Sequence, residues 1–158
     1  MSDEELRNFF LSLRNRKTLL FAIGNEFRHD DGVGCYIAKN LTALPENFFL
    51  INAMIRPENF VDESIDMKPE TLIFIDSADY NGYYGEIRLL DHNSIPDKSL
   101  STHNYPIKVF SEIISEETKC NVFYIGIQAK DMSFGEGMSA EVLESARRII
   151  GILKGLNV

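Results

Sequence analysis

The stretch "TLLFAIGNEFRHDDGVG", residues 18–34, decides the fold class. It opens with "TLLFAIG" (18–24), a short unbroken apolar run of the kind that forms a strand buried on both faces. A glycine closes the run. Apolar residues then return at helical spacing over residues 31–44, through Val33, Tyr36, Ile37 and Leu41, and Pro45 stops the pattern. Strand, turn and helix in this order begin a βα unit, and the turn between them carries His29 and two adjacent carboxylates, Asp30 and Asp31.

The unit recurs along the chain. "NFFLINA" (47–53), "TLIFIDSA" (71–78) and "NVFYIGI" (121–127) read as further strands. Helical spacing fills 57–67, with Pro57 in the first turn, then 103–116, capped by Ser101 or Thr102, and 139–156. "NGYYGEIRLLD" (81–91) has turn glycines ahead of an extended run, which predicts a hairpin or edge strand, and "SIPDKSL" (94–100) a loop or single helical turn. Before the first strand, residues 2–15 predict an amphipathic helix. Ser2 and Glu5 stand at capping-box spacing, and Leu6, Phe9, Phe10 and Leu13 form its apolar stripe. The expectation is one α/β domain over residues 1–158. It has three α/β/α layers around a mostly parallel twisted sheet of about five strands, with one antiparallel edge strand.

Bulk composition narrows the function classes. A chain of 158 residues supports one sizeable core. Sixteen basic against 24 acidic residues give a net charge of −8, which repels phosphate backbones and disfavours nucleic acid as a partner. Cys35 and Cys120 form no pair motif, so neither a disulfide framework nor a thiolate zinc site is expected. No apolar run reaches the length of a membrane span, and the start "MSDEELRN" is acidic rather than signal-like. These features predict a soluble cytoplasmic protein with no membrane partner.

In sheets of this kind ligands sit beyond the carboxyl ends of the strands. Three polar signals fall there: Asp31 after the first strand, Asp76 with Asp79 closing the third, and His103 in "STHN" before the fourth helix. A dinucleotide loop would need glycines against the pyrophosphate, yet two aspartates occupy that place and would repel it. Two carboxylates and an imidazole instead make a mixed oxygen and nitrogen set suited to nickel, zinc, iron or manganese, with open positions left for substrate. The residues alone leave blander roles open: a helix cap for Asp30 or Asp31, a turn for Asp76, a surface position for His103. Cys35, on a mostly apolar helix, reads as core packing rather than a nucleophile, and no serine stands in a G-x-S-x-G elbow. His29 reads as a solvated loop residue and His92 as surface.

Taken in order, "GNEFRHDDGVG" (24–34), "RPENF" (56–60), "LIFIDSADYNGYYGEIRLLD" (72–91), "STHNYP" (101–106) and "FYIGIQ" (123–128) resemble the hydrogenase maturation endopeptidases. The likeness is nearest to the branch serving formate-hydrogenlyase (hydrogenase 3) type nickel–iron hydrogenases. The resemblance implies an aspartyl-type endopeptidase, acting as a monomer, that removes the C-terminal extension of the large-subunit precursor once nickel is in place. Asp31, Asp76 and His103 would be both the metal-contacting and the catalytic residues. Nickel would arrive with the precursor, and no organic cofactor is implied. Gly24 and Asn25 would shape the turn, with Asp30 supporting Asp31. A protein that senses the nickel centre without cutting would keep the same three residues, so cleavage separates the two. The chain departs from the family in its extra N-terminal helix and in Ala129, where proline is common. The glycine-bearing "AKDMSFGEGM" (129–138) is expected to be a mobile loop over the cleft.

Overall fold

The structure, a computed structural model, describes residues 1–95 and 106–157. The elements run α1 (Asp3–Ser12), β1 (Thr18–Ile23), α2 (Val33–Asn40), β2 (Phe48–Met54), α3 (Val61–Asp66), β3 (Thr71–Ala78), β4 (Ile87–Asp91), α4 (Ile107–Thr118), β5 (Asn121–Gln128) and α5 (Ala140–Lys154). Short 3-10 turns at His29–Gly32 and Pro57–Phe60 lead into α2 and α3. The sheet has the order β2-β1-β3-β5-β4, with every pairing parallel except the antiparallel edge strand β4 on β5. This is the single α/β domain the alternating pattern predicts.

The buried runs account for the layering. Every residue of β1 and β3 is buried, because helices cover both faces of the sheet. One core joins Leu20, Ile73 and Ile75 to Leu6 and Phe10 of α1, Ile37 of α2 and Val142 and Ile149 of α5. The other joins Leu19, Phe21, Leu72 and Phe74 to Phe110 and Ile114 of α4, with Val61 and Ile65 of α3 alongside.

α1 starts at the expected capping box, Ser2 Oγ accepting from Glu5 N and Glu5 Oε2 from Ser2 N. It packs on the sheet side, with Phe9 edge-on to Phe123 at 5.0 Å, and Arg148 Nε donates to Asp3 Oδ1 at 2.7 Å.

Several boundaries differ from the sequence reading: α1 ends at Ser12 rather than 15, and the helix expected over 57–67 opens as a 3-10 turn before α3. α2 ends at Asn40, well before Pro45, its last turn closed by the Leu41 N–H on the Ile37 and Ala38 carbonyls. α4 begins at Ile107, later than the expected start at 103, with Pro106 at the cap position in extended backbone. Ser101, Thr102 and His103 lie outside the described residues. Among the described residues no helix is long and apolar enough to cross a membrane.

Candidate active site

The chain leaves β1 for β2 on one side and then crosses back to β3 on the other, so the carboxyl ends of β1 and β3 border the topological switch point. Both predicted aspartates are there, fully buried: Asp31 in the 3-10 turn after β1, and Asp76 within β3. Two glycines make this approach possible. A Cβ on Gly34 would lie 2.2 Å from the Ile23 carbonyl oxygen and 2.8 Å from that of Ile75, so only glycine lets α2 begin directly over both strand ends. A Cβ on Gly24 would lie 2.1 Å from the Asp31 carbonyl oxygen, which also accepts from Asn25 N at 3.0 Å. The glycines that imitate a phosphate loop therefore serve to hold Asp31.

Ser77, next to Asp76, fixes the first carboxylate. Its hydroxyl donates to Asp31 Oδ1 at 2.7 Å, while its carbonyl accepts from the Tyr124 hydroxyl at 3.1 Å. The other oxygen, Asp31 Oδ2, is buried with no hydrogen-bond partner among the described residues. An acceptor stranded in this way is costly unless a cation or donor meets it.

Both carboxylates act on the same neighbours. Burial first, then Asp76, Tyr80 and Asp31, raise the Tyr124 hydroxyl well above its ordinary pKa. Burial first, with Glu26, Asp31 and Asp76 adding and Lys39 opposing, pushes the Cys35 thiol up to about 12. A thiol so held is no nucleophile at neutral pH, and among the described residues it donates to the Gly24 carbonyl at 3.4 Å. Cys35 is core.

Alternation along β3 puts Asp76 on the face of Leu72 and Phe74, where Ile107 and Phe110 of α4 also pack. His103 lies outside the described residues. Among those described, no three His, Cys, Asp or Glu side chains are grouped so as to hold a metal ion.

Asp30 plays a different part from its neighbour. Its Oδ2 accepts from the backbone N–H of Lys130 at 2.8 Å and of Asp131 at 2.9 Å, and from Ser139 Oγ at 2.9 Å. Its Oδ1 accepts from Ser139 N, the cap of α5, at 2.7 Å. Arg28 Nε donates to the Met132 carbonyl at 3.0 Å, and the His29 ring Nδ1 lies 2.9 Å from the Gly137 carbonyl oxygen. The 129–138 loop, expected to be mobile, is thus stitched to the turn after β1. His29, expected to be solvated, is half-buried within the stitching, and His92 is half-buried with Nδ1 3.3 Å from Ser111 Oγ. Nothing local in the sequence signals these ties, since Asp30 and its partners lie a hundred residues apart.

Gln128, at the end of β5, is a further residue that the sequence reading assigned no role. Its Oε1 accepts from Tyr80 N at 2.9 Å and Gly82 N at 3.1 Å, and its Nε2 donates to Asp79 Oδ1 at 3.2 Å. It shapes the loop that follows Asp76.

The family model described as "Hydrogenase maturation protease", HycI, matches residues 35–155. The chain belongs to the HycI family of hydrogenase maturation proteases. As a member of that family it is a protease, and the matched span contains Asp76 and His103 and begins just after the turn that carries Asp31. A relative from Methanocaldococcus jannaschii is 29% identical over 147 residues, covering 87% of this chain and 86% of the relative. The hydrogenase 3 maturation protease of Escherichia coli K12 is 27% identical over 139 residues, covering 87% of this chain and 88% of its own. The crystal structure of the HycI [NiFe] hydrogenase maturation protease of Thermococcus kodakarensis superposes with a TM-score of 0.82 at 24% identity, covering 91% and 94% of the two chains, and it has the same fold.

Proposed function

We propose that this protease removes the C-terminal extension of the nickel-loaded large-subunit precursor of a nickel–iron hydrogenase of the hydrogenase 3 type, with Asp31, Asp76 and His103 as its metal-contacting and catalytic residues. The observation that carries the reading is the buried Oδ2 of Asp31, without a hydrogen-bond partner among the described residues, at the switch point beside Asp76. The kinship with the E. coli enzyme named for hydrogenase 3 supports the choice of substrate.

The physical logic is selection by differential affinity. A finished precursor differs from an unfinished one by a nickel ion, which is cargo of the substrate. Carboxylate oxygens and an imidazole suit such an ion. Asp31, held by Ser77, presents its open oxygen, while Asp76 adds a second charge from the adjoining strand. These residues bind the loaded precursor more tightly than the empty one and orient its C-terminal segment across the carboxyl ends of β1 and β3. A substrate-borne divalent ion there can polarise a carbonyl or make water more acidic. In this reading the protein works in the cytoplasm as a monomer, without nucleic acid, membrane or organic cofactor.

The test mixes the purified protein with the large-subunit precursor of the same organism, nickel-loaded and nickel-free, and follows precursor mass. Loss of a C-terminal fragment from the loaded sample alone is expected. Cleavage of both would remove nickel as the signal, and cleavage of neither would overturn the assigned substrate.

A further inference from the structure

Beside the turn that holds Asp31 lies a cleft of about 180 Å³, walled by Gly24, Phe27, Cys35, Met54 and Ile55 together with the polar Asn25 and Glu26. It is well below the range of roughly 300–1,000 Å³ usual for small-molecule sites. Liquid water filling it would amount to about six molecules. The space suits one apolar side chain.

Its walls leave large apolar groups in solvent: Phe27 is 63% exposed, Ile55 53% and Met54 46%. Three such residues side by side, at the carboxyl edge of the sheet, form a patch that calls for a partner.

The backbone is bent to make this wall. Ala22 pairs with Asn52 but Ile23 pairs with Met54, so Ala53 is an extra residue in β2, a bulge that re-aims the strand end. Met54 then sits at φ +52°, a left-handed conformation that a long side chain rarely adopts, and its carbonyl accepts from Gly24 N at 3.0 Å. Held strain of this sort gathers where a surface is used.

We propose that this cleft is a specificity pocket that receives an apolar side chain of the precursor next to the cleaved peptide bond, with Phe27, Met54 and Ile55 as the residues that select it. The inference rests on the assignment of Asp31 to the cleavage site. Gly24 belongs both to the cleft and to the turn that fixes Asp31, and the adjoining Asn25 N–H binds the Asp31 carbonyl at 3.0 Å. A polypeptide laid across Asp31 therefore passes the mouth of the cleft, and an apolar side chain at that point replaces water against Phe27 and Ile55. An acidic one meets only the like charge of Glu26, which lines the same cleft and is already bound by Lys39 Nζ at 2.6 Å. Discrimination of about 10–200-fold in kcat/KM is the scale such a pocket supplies.

The test is a charge swap. Each precursor residue flanking the cleaved bond is changed in turn to Asp, and the nickel-loaded variants are offered to the wild-type protease and to Ile55→Lys. Ile55 is exposed, so the variant should fold, which matched melting curves check. At one position Asp is expected to lower wild-type kcat/KM about 100-fold. Ile55→Lys should recover at least about tenfold for that precursor alone and lose a similar factor on the natural one. Equal Asp effects for both proteases at every position would overturn the pocket. So would loss of a self-association in Ile55→Lys, measured by sedimentation, because it would assign the patch to a second copy of the chain. Asp31→Asn serves as the separate control: if it cleaves normally the site assignment fails, whereas an inactive Asp31→Asn with an indifferent Ile55→Lys sinks the pocket alone.

Discussion

The Ser77 hydroxyl donates to Asp31 Oδ1 at 2.7 Å, tying the turn after β1 to the residue that follows Asp76 in β3. One bond thereby sets the orientation of one carboxylate relative to the strand that carries the other. Ser77→Ala should leave Asp31 free to rotate in a buried site. Precursor cleavage under single-turnover conditions is expected to fall about 10–100-fold, the usual cost of losing such an orienting partner. Urea denaturation should show a loss of about 1–3 kcal/mol for the stranded oxygen. Unchanged cleavage would mean that the orientation of Asp31 does not matter to the reaction.

The adjacent aspartates should respond in opposite ways. Asp30 accepts four hydrogen bonds from Lys130, Asp131 and Ser139, so Asp30→Ala strands four donors and unties α5. A loss of at least about 3 kcal/mol is expected on unfolding in urea. Among the described residues Asp31 accepts one side-chain bond and keeps a buried oxygen without a partner, so Asp31→Asn unties no other element. It should unfold close to the wild-type urea concentration and yet cleave no precursor. If Asp31→Asn proves the less stable of the two, the division of labour between these neighbours is wrong.

The sequence made the strands and the switch point legible because β1 and β3 are buried along their whole length and so appear as unbroken apolar runs. Asp31 and Asp76 stood out for a related reason: a carboxylate near the carboxyl end of such a run is out of keeping with its apolar pattern. The bonds of Asp30 to the 129–138 loop were not legible, since their donors are mostly backbone N–H groups that any sequence would carry. The bulge at Ala53 was equally silent, because Asn52, Ala53 and Met54 fit a regular strand as well as a bulged one. The resemblance supplied what neither periodicity nor spacing contains: the peptide bond as substrate and, in the function proposed above, a nickel ion as its cargo.

Two helical glycines offer a matched comparison. Gly34 lies against the Ile23 and Ile75 carbonyls with no room for a methyl, whereas Gly151, in α5, has nothing within 4 Å of an added Cβ. Gly34→Ala should lift α2 from the strand ends and cost about 1–3 kcal/mol or more, with cleavage lost as the Asp31 turn shifts. Gly151→Ala should stabilise by about 0.5–1 kcal/mol, because it removes only the entropy cost of a helical glycine. Thermal melts of the two variants check both signs.

Cys35 makes stability depend on alkaline pH. Its thiol ionises at 9.0 when free and at about 12 in the folded protein, burial being the main cause. Below pH 9 both states hold the proton and pH has no effect through this group. Above it the unfolded chain releases a proton that the folded chain keeps, so stability falls as pH rises, at a limiting slope of about 1.4 kcal/mol per pH unit. The half-buried Tyr80 and the buried Tyr124 are also raised, from an ordinary value of 10.0, and steepen the fall further on. Comparing wild type with Cys35→Ala cancels them. Urea unfolding between pH 8 and pH 10.5 should show the wild type losing its margin over the variant at close to that slope, starting near pH 9. The variant should keep kcat, with any change falling on KM through the cleft that Cys35 helps to wall, since a thiol that holds its proton to about 12 takes no part as a nucleophile. Parallel pH profiles for the two proteins would mean that the folded thiol ionises normally, and loss of kcat in Cys35→Ala at unchanged stability would return it to the chemistry.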